Sequence, residues 1–230
     1  MNDNIIKLSP AKINLYLEVL EKTSSGYHNI ESLMTFCDFG DIISIKKAQS
    51  FKLTIDGPFS KNLSLKDNIV IKSVSYIEKL LKKIINVHIN LTKNLPISSG
   101  MGGGSSNAAT VLLCLIEMFD INCKEDFHKS LFSLGADIPF CFSRKSALVT
   151  GKGENILRIE YNYQNFFILL VNPLIEISTK KIFEKLNIPT RKDFTIFNEK
   201  FLSNTNIIDF LNSRKNDLET PAILQCEEIK

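Results

Sequence analysis

The sequence of 230 residues lacks the patterns that indicate a metal site, a membrane span or a nucleic-acid surface. Its five cysteines include no CxxC pair and its three histidines lie far apart, so the spacing of zinc ligands is absent. The longest apolar runs, around Val111 to Phe119 and Phe166 to Val171, are far too short to cross a bilayer. The net charge is only +3, and the basic residues are scattered rather than gathered in a dense stripe. We therefore expect neither a membrane nor a nucleic-acid partner.

The sequence also begins without the charged leader and apolar stretch of a signal peptide. The cysteines show no close pairing, which fits a reducing compartment. Cys114 lies in an apolar helical run and is expected to be a small core residue. Hydrophobic residues make up 44% and charged residues 23% of the chain, as in an ordinary globular protein. These features predict a cytoplasmic protein with a real hydrophobic core.

Hydrophobic patterns predict strands and helices that follow one another without a regular strand–helix alternation. Strands are predicted at residues 11–20, 31–47 (interrupted at Gly40-Asp41), 51–56 and 87–97. Helices are predicted at residues 68–84, 108–119 and 125–135, and a turn at residues 151–153. The apolar run at residues 165–172 predicts a buried strand that opens a second unit. The mixture favours an α+β fold over a doubly wound sheet, with domains at residues 1–158 and 159–230.

The most informative stretch is the glycine-rich loop that follows Pro96. Its glycines leave space for backbone N–H groups to converge on an anion, and two serines add hydroxyl donors. A helix expected to begin near Asn107, with one serine as its cap, directs its positive end toward the same point. The predicted phosphate-binding residues are Gly100, Met101, Gly102, Gly103, Gly104, Ser105 and Ser106, and Pro96 is expected to line the same nucleotide site. A flexible turn is the alternative, and four glycines in five residues make it the weaker one.

Two common phosphate-binding motifs are excluded at this loop. A Walker loop requires Lys followed by Ser or Thr after its last glycine, where this chain has Ser105 and Ser106. A dinucleotide-binding fingerprint requires the spacing GxGxxG, which Gly100, Gly102 and Gly104 do not keep.

At this loop the chain resembles the GHMP kinases, whose second motif has the form PxxxGxGxSS. Further motifs occur in the same order along the chain, at Pro10–Leu15, Gly26–His28, Asp67-Asn68, Gly100–Thr110 and Leu134–Pro139. The resemblance covers about Ser9 to Phe183. Within the family, the chain is similar to the branch whose substrate carries a cytidine diphosphate group. It implies a two-domain fold, with an N-terminal domain like ribosomal protein S5 domain 2 and a ferredoxin-like C-terminal domain. It also implies transfer of the γ-phosphate of ATP to a substrate hydroxyl group, in the non-mevalonate route to isoprenoids.

The resemblance implies a catalytic pair. Asp137 would take the proton from the attacking hydroxyl group, and Lys12 would hold Asp137 ionised and offset charge on the transferred phosphate. From residue type alone, Asp137 is equally well explained as a helix or turn cap and Lys12 as a surface lysine. Mg²⁺ is expected to accompany ATP, although the sequence shows no cluster of metal ligands.

The resemblance also implies a binding site for the cytidine base. Tyr27 and Phe183 would stack on its two faces, His28 would hydrogen-bond its edge, and Asn14 and Thr179 would line the pocket. Asn68 would lie near the adenine of ATP. Structural alternatives remain open: Phe183 as a core residue, His28 as a turn residue and Asn68 as a helix cap.

A third glycine-rich motif, expected near the C-terminus of a GHMP kinase, is absent, because no glycine follows Thr190. The second domain is therefore expected to be incomplete. Two further hypotheses stay open: a nucleotide-binding protein without turnover, and a GHMP kinase for homoserine, mevalonate or a sugar. A nucleic-acid module is disfavoured because aromatic and basic residues are not interleaved.

Overall fold

The computed structural model describes residues 4–24, 26–61, 63–124, 126–159, 166–186 and 207–230. Its strands are β1 (Asn4–Lys22), β2 (His28–Lys47), β3 (Lys52–Asp56), β4 (Val87–Thr92), β5 (Ala147–Gly151) and β6 (Asn155–Arg158). Its α-helices are α1 (Ile69–Leu81), α2 (Gly103–Phe119), α3 (Phe127–Ser130), α4 (Ile138–Ser143), α5 (Thr179–Glu184), α6 (Ile207–Asn212) and α7 (Glu219–Ile223). Short 3₁₀ helices occur at Leu131–Ser133 and Glu227–Ile229.

The chain packs into two compact units that interleave along the sequence. Unit 1 comprises Met1–Lys12 and Cys37–Arg144, and unit 2 comprises Ile13–Phe36 and Lys145–Lys230. Strands β1 and β2 therefore each contribute residues to both units. Because the units interleave, they do not test the predicted division at residues 158 and 159, which stays a prediction.

Unit 1 is built on strands covered by helices. In β2, Ile42–Lys47 pair antiparallel with β4, and β4 pairs parallel with β3. A parallel pair needs a long crossover connection, and here α1 lies between β3 and β4 in the chain. Every second residue of β4 is buried, as expected for a strand with one face on the core. Helix α1 buries its apolar stripe and packs against α2, which also contacts α4.

Unit 2 joins residues from both ends of the sequence. In β2, Ile30–Met34 pair antiparallel with β5, and β5 forms a hairpin with β6. A core cluster of Tyr16, Leu33, Leu148, Ile159, Ile207 and Phe210 brings α6 against the strands. Past α6, Leu17 and Asn216 form a parallel β-bridge. The Leu17 N–H donates to the carbonyl of Lys215 at 3.1 Å, and the Asp217 N–H donates to the carbonyl of Leu17 at 2.8 Å.

Most predicted elements are confirmed, but the interruption of the second strand at Gly40-Asp41 is wrong. Strand β2 continues through both residues. A Cβ atom at position 40 would overlap the backbone of Ser9 and Pro10, so the glycine permits a close approach of β1. The pair that looks like a turn in sequence is instead a tight contact between two strands.

The buried strand predicted at residues 165–172 is also wrong over the described part of this segment. Residues 166–172 lie in no strand, and Phe167, Leu169 and Val171 are almost fully exposed. An apolar run forms a buried strand only where neighbouring strands complete its hydrogen bonds, and no strand of the described chain pairs with this one.

The remaining expectations about composition can be compared directly with the structure. Cys114 is fully buried, as predicted, and all five cysteines are free thiols. Among the described residues, no helix is long and apolar enough to span a membrane.

Candidate active site

The glycine-rich loop leads directly into α2, which begins earlier than predicted. The helix starts at Gly103 with Gly102 as its N-cap, rather than near Asn107. Ser105 and Ser106 are therefore inside the first turn, and no side chain caps the helix. The predicted serine cap is wrong because Gly102, with φ of +62°, closes the helix start through its backbone: its carbonyl accepts from the Ser106 N–H at 2.8 Å.

The first turn of α2 offers N–H groups to an anion. The first N–H groups of a helix have no acceptor within it, and here they belong to Gly103, Gly104 and Ser105. Gly104 is exposed and Ser105 half-buried, so this end of the helix is open to solvent. With no side chain on two of the three residues, a phosphate group can approach the backbone closely.

Ser106 has a different surrounding from Ser105. It is fully buried, and its Oγ lies 3.0 Å from the hydroxyl of Ser9, which also donates to Asn107 Oδ1 at 2.7 Å. These contacts tie α2 to β1. Ser106 thus holds the loop in place from inside, whereas the direct phosphate contact predicted for it stays a prediction.

The predicted catalytic pair is brought together. Lys12 Nζ lies 3.2 Å from Asp137 Oδ2, with the lysine side chain buried and that of Asp137 one-third exposed (7% and 35%). Asp137 precedes α4, but its side chain makes no capping hydrogen bond. Asp137 thus occupies the N-cap position that the cap interpretation expects, but its carboxylate faces a cation rather than a helix N–H group. The pair sets a cation beside a partly exposed carboxylate, a group of the type that serves as a general base.

Lys12 is also packed against the glycine-rich loop. Its backbone N–H donates to the carbonyl of Met101 at 2.9 Å. A Cβ atom at Gly102 would lie 3.0 Å from Lys12 Cε and 3.2 Å from Lys12 Cβ. The glycine thus leaves the space through which the lysine side chain passes toward Asp137. The structure thus brings the loop and the predicted catalytic pair into contact through Lys12.

A second buried ion pair supports the loop and was missed by sequence reasoning. Lys93 Nζ lies 2.5 Å from Asp41 Oδ2, and both side chains are buried. Asp41 Oδ1 also accepts from the backbone N–H groups of Asn94 and Leu95 at 2.7 and 2.8 Å. A Cβ atom at Gly103 would lie 3.0 Å from Lys93 Nζ, so this cation sits directly behind the start of α2. In the sequence, the only feature at this ion pair is the Gly40-Asp41 dipeptide, which is typical of a turn.

Asn68 and Pro96, the remaining residues predicted to contact the nucleotide, belong to unit 1. Asn68 is the N-cap of α1: its Oδ1 accepts from the Val70 N–H at 2.9 Å, and its Nδ2 donates to the carbonyl of Ser64 at 3.0 Å. The helix-cap interpretation is confirmed, and a nucleotide contact stays a prediction. Pro96 is half-buried between β4 and the loop.

The residues predicted to bind the cytidine base all belong to unit 2. The rings of His28 and Phe183 stack with centroids 5.3 Å apart and planes 29° apart. Tyr27 is 58% exposed, and Lys152 Nζ lies 5.6 Å from its ring centroid. Thr179 is exposed at the start of α5. Phe183 thus stacks on His28. The sequence predicted neither this contact nor the position of Lys152 above the Tyr27 ring.

Asn14 is held by a hydrogen bond on β1. Its Nδ2 donates to Ser32 Oγ at 2.7 Å, and the Ser32 hydroxyl in turn donates to the carbonyl of Tyr16 at 2.6 Å. The Asn14 side chain is only half-buried, so part of it stays accessible.

A metal ion held by the protein itself requires several ligand side chains arranged around it. Among the described residues, no group of three or more His, Cys, Asp or Glu side chains is arranged to hold one. Mg²⁺ usually keeps several waters and binds through substrate phosphates and one or two carboxylates, so this chemistry fits a metal that arrives with a nucleotide.

The comparisons with known proteins agree with this arrangement. A family model described as the GHMP kinases N terminal domain matches residues 68–145, which include the loop and Asp137. The 4-diphosphocytidyl-2-C-methyl-D-erythritol kinase of Sinorhizobium medicae strain WSM419 is 36% identical over 224 residues, covering 93% of this chain and 73% of the relative. This chain belongs to that kinase family. Kinases of the same name from Agrobacterium fabrum and Thermoanaerobacter sp. strain X514 are 35% and 33% identical, and the chain covers 77% and 75% of their lengths.

Solved structures show that the chain has the GHMP kinase fold. A crystal structure of 4-(cytidine 5'-diphospho)-2C-methyl-D-erythritol kinase matches with a TM-score of 0.72 at 23% identity, over 97% of this chain and 79% of the other. A homoserine kinase from Cytophaga hutchinsonii matches with a TM-score of 0.57 at 15% identity, over 85% and 62% of the two chains. The predicted α+β, two-domain GHMP kinase architecture is confirmed.

Proposed function

We propose that this member of the kinase family transfers the γ-phosphate of ATP to the 2-hydroxyl group of 4-diphosphocytidyl-2-C-methyl-D-erythritol. The reaction belongs to the non-mevalonate route to isoprenoid precursors. The observation that carries the proposal is the Lys12–Asp137 ion pair, which lies against the glycine-rich loop at the N-terminus of α2. The names and identities of the relatives supply the substrate.

In this mechanism the start of α2 binds the phosphates of ATP. The N–H groups of Gly103, Gly104 and Ser105 donate to phosphate oxygens, and the helix dipole favours the negative charge. Phosphoryl transfer depends mainly on positioning and electrostatic stabilisation, which preorganised backbone donors provide without reorganisation. Mg²⁺, arriving with ATP, would neutralise part of the phosphate charge.

Asp137 would accept the proton of the attacking hydroxyl group. The Lys12 Nζ, 3.2 Å from the Asp137 carboxylate, would offset negative charge on the transferred phosphate. The burial of Lys12 strengthens these interactions, because fewer water molecules screen them. In unit 2, Asn14, Tyr27, His28, Thr179 and Phe183 would bind the cytidine part of the substrate.

The test is the Asp137→Asn variant, assayed with ATP, Mg²⁺ and the cytidine diphosphate-linked substrate. Loss of a general base lowers the rate by about 10²- to 10⁴-fold, so we expect kcat to fall by that factor. The affinity for ATP, measured by isothermal titration calorimetry, should stay within a few fold. Glu117→Gln is the control, since Glu117 pairs with Lys7 on an exposed face of α2.

Two results would contradict the proposal. Equal loss of turnover and ATP affinity would assign Asp137 a structural role. Wild-type turnover of homoserine or mevalonate, without turnover of the cytidine diphosphate-linked compound, would assign the chain to another GHMP kinase reaction.

A further inference from the structure

A charged cluster in unit 2 connects β1 and β2 to the residues that follow α6. Arg214 Nη1 lies 3.4 Å from Glu18 Oε2 and 3.8 Å from Glu31 Oε1. The same guanidinium lies over two aromatic rings, 5.4 Å from the centroid of Tyr16 and 4.7 Å from that of Phe210. A planar guanidinium suits this combination, since it pairs with carboxylates and stacks on aromatic faces at once.

Glu31 is the buried partner in this cluster, with only 1% of its surface exposed. The Tyr16 hydroxyl donates to Glu31 Oε1 at 3.1 Å. Burial and the neighbouring Glu31 charge raise the pKa of the Tyr16 phenol far above its usual range, so Tyr16 keeps the proton that it donates. A buried carboxylate needs a cation close by, and Arg214 supplies one.

The hydrogen bonds continue from this cluster to a residue of the proposed substrate site. The carbonyl of Tyr16 accepts from Ser32 Oγ at 2.6 Å, and Ser32 Oγ accepts from Asn14 Nδ2 at 2.7 Å. Ser32 directly follows Glu31 in β2, so a shift of Glu31 reaches Ser32, the hydrogen-bond partner of Asn14, both along the strand and through Tyr16. The connection runs through Arg214, Glu31, Tyr16, Ser32 and Asn14 in four consecutive contacts.

Arg214 is not needed merely to attach this part of the chain. The backbone of Leu17 already bonds to Lys215 and Asp217, and Asp217 Oδ2 accepts from the Val19 N–H at 2.8 Å. Phe210 and Ile207 anchor α6 in the apolar core. The guanidinium therefore adds a specific constraint on Glu31 and Tyr16 to a segment that is otherwise attached.

We propose that Arg214 is a positioning residue for the substrate site, and that it fixes the Asn14 side chain through Glu31, Tyr16 and Ser32. The inference rests on the proposed function in one respect, the assignment of Asn14 to the binding of the cytidine part. The ordering of Asn14 by Arg214 is a property of the folded chain, and it can be measured without turnover.

The kinetic test compares Arg214→Met, Arg214→Lys and the control Lys215→Met. Lys215 is the neighbouring cation, half-exposed and paired with Asp217, so its substitution removes the same charge outside the connection. We expect Arg214→Met to raise the KM for the cytidine diphosphate-linked substrate about 5- to 30-fold, with the KM for ATP within twofold. Arg214→Lys should restore part of this loss, and Lys215→Met should change neither constant.

A spectroscopic test measures the positioning directly. The side-chain amide resonances of Asn14, assigned by their loss in Asn14→Ala, should shift in Arg214→Met and stay in place in Lys215→Met. Glu31→Gln should shift them too, and adding Arg214→Met to it should have little further effect, since both act through one connection.

The outcomes separate this inference from the proposed function. Unchanged Asn14 resonances in Arg214→Met, at a temperature where the variant is folded, would overturn the role of Arg214. An equal rise of both KM values, or a lowered Tm with unchanged kinetics, would also do so. If the wild-type chain lacks turnover while Arg214→Met shows the predicted shift of the Asn14 resonances, only the proposed function is overturned.

Discussion

Gly100 and Gly102 have similar backbone conformations but different surroundings. Their φ angles are +75° and +62°, values that cost an L-residue about 1–2 kcal/mol. A Cβ atom at position 100 would meet nothing within 4 Å, whereas one at position 102 would press on the Lys12 side chain. We expect both alanine variants to lower the free energy of unfolding by a similar amount. Only Gly102→Ala should lower kcat strongly, because it displaces Lys12 from Asp137. Equal kcat values in steady-state assays of the two variants would contradict this.

His28 carries a prediction about pH. Burial, with a smaller effect from Lys22, lowers the pKa of its imidazole below the ordinary 6.5. As the pH falls through this window the unfolded chain binds the proton first, so the free energy of unfolding decreases. We expect wild type to lose stability relative to His28→Gln as the pH falls below about 6.5. Urea denaturation from pH 8 to 5 measures the difference. A difference that stays constant would show that His28 titrates alike in both states.

At the scale of secondary-structure elements, Asp41 connects β2 to the segment that leads into the loop. Removing its carboxylate leaves Lys93 charged and buried, and also removes the acceptor of two backbone N–H groups. We expect Asp41→Ala to lower the free energy of unfolding by about 3–5 kcal/mol in chemical denaturation. Glu117→Ala, which breaks a half-exposed pair, should cost about 0–1 kcal/mol. Similar losses in both variants would mean that the buried pair contributes no more to the free energy of unfolding than the half-exposed pair.

Local patterns predicted the strands and α1 well because their period is visible in the chain. The alternation in β4 and the apolar stripe of α1, which begins after its cap Asn68, are examples. The predicted start of α2 is four residues too late. Glycine has a low helix propensity, so the pattern of residues 103–106 does not indicate a helix. Asp41, Lys93 and Arg214 could not be predicted, since each is explained only by partners distant in sequence. The Lys12–Asp137 pair was predicted from motifs, and only the fold brings the two side chains together.

At the scale of the whole molecule, the segment at residues 166–175 exposes an unusual amount of apolar surface. Phe167, Leu169 and Val171 alternate along it and are 99%, 87% and 84% exposed. Contiguous apolar surface of this kind favours association. We expect the 230-residue chain to bind a hydrophobic dye and to associate as its concentration rises. The double variant Phe167→Ser/Leu169→Ser should lose most of both effects, whereas Ile84→Ser, at a single exposed position of unit 1, should not. Unchanged dye fluorescence in the double variant would place the apolar surface elsewhere.

The bridge between Leu17 and Asn216 has a consequence for biosynthesis. A ribosome adds about 5–20 residues per second, so the first strand residues of unit 2 emerge roughly 10 to 40 seconds before their C-terminal partners. Unit 1 is completed sooner, because all of its residues have been made once Arg144 is added. We therefore expect nascent chains to acquire the glycine-rich loop and its Lys12–Asp137 pair first. Residues 13–36 meanwhile wait with an unpaired strand edge, a stage at which a chaperone can bind.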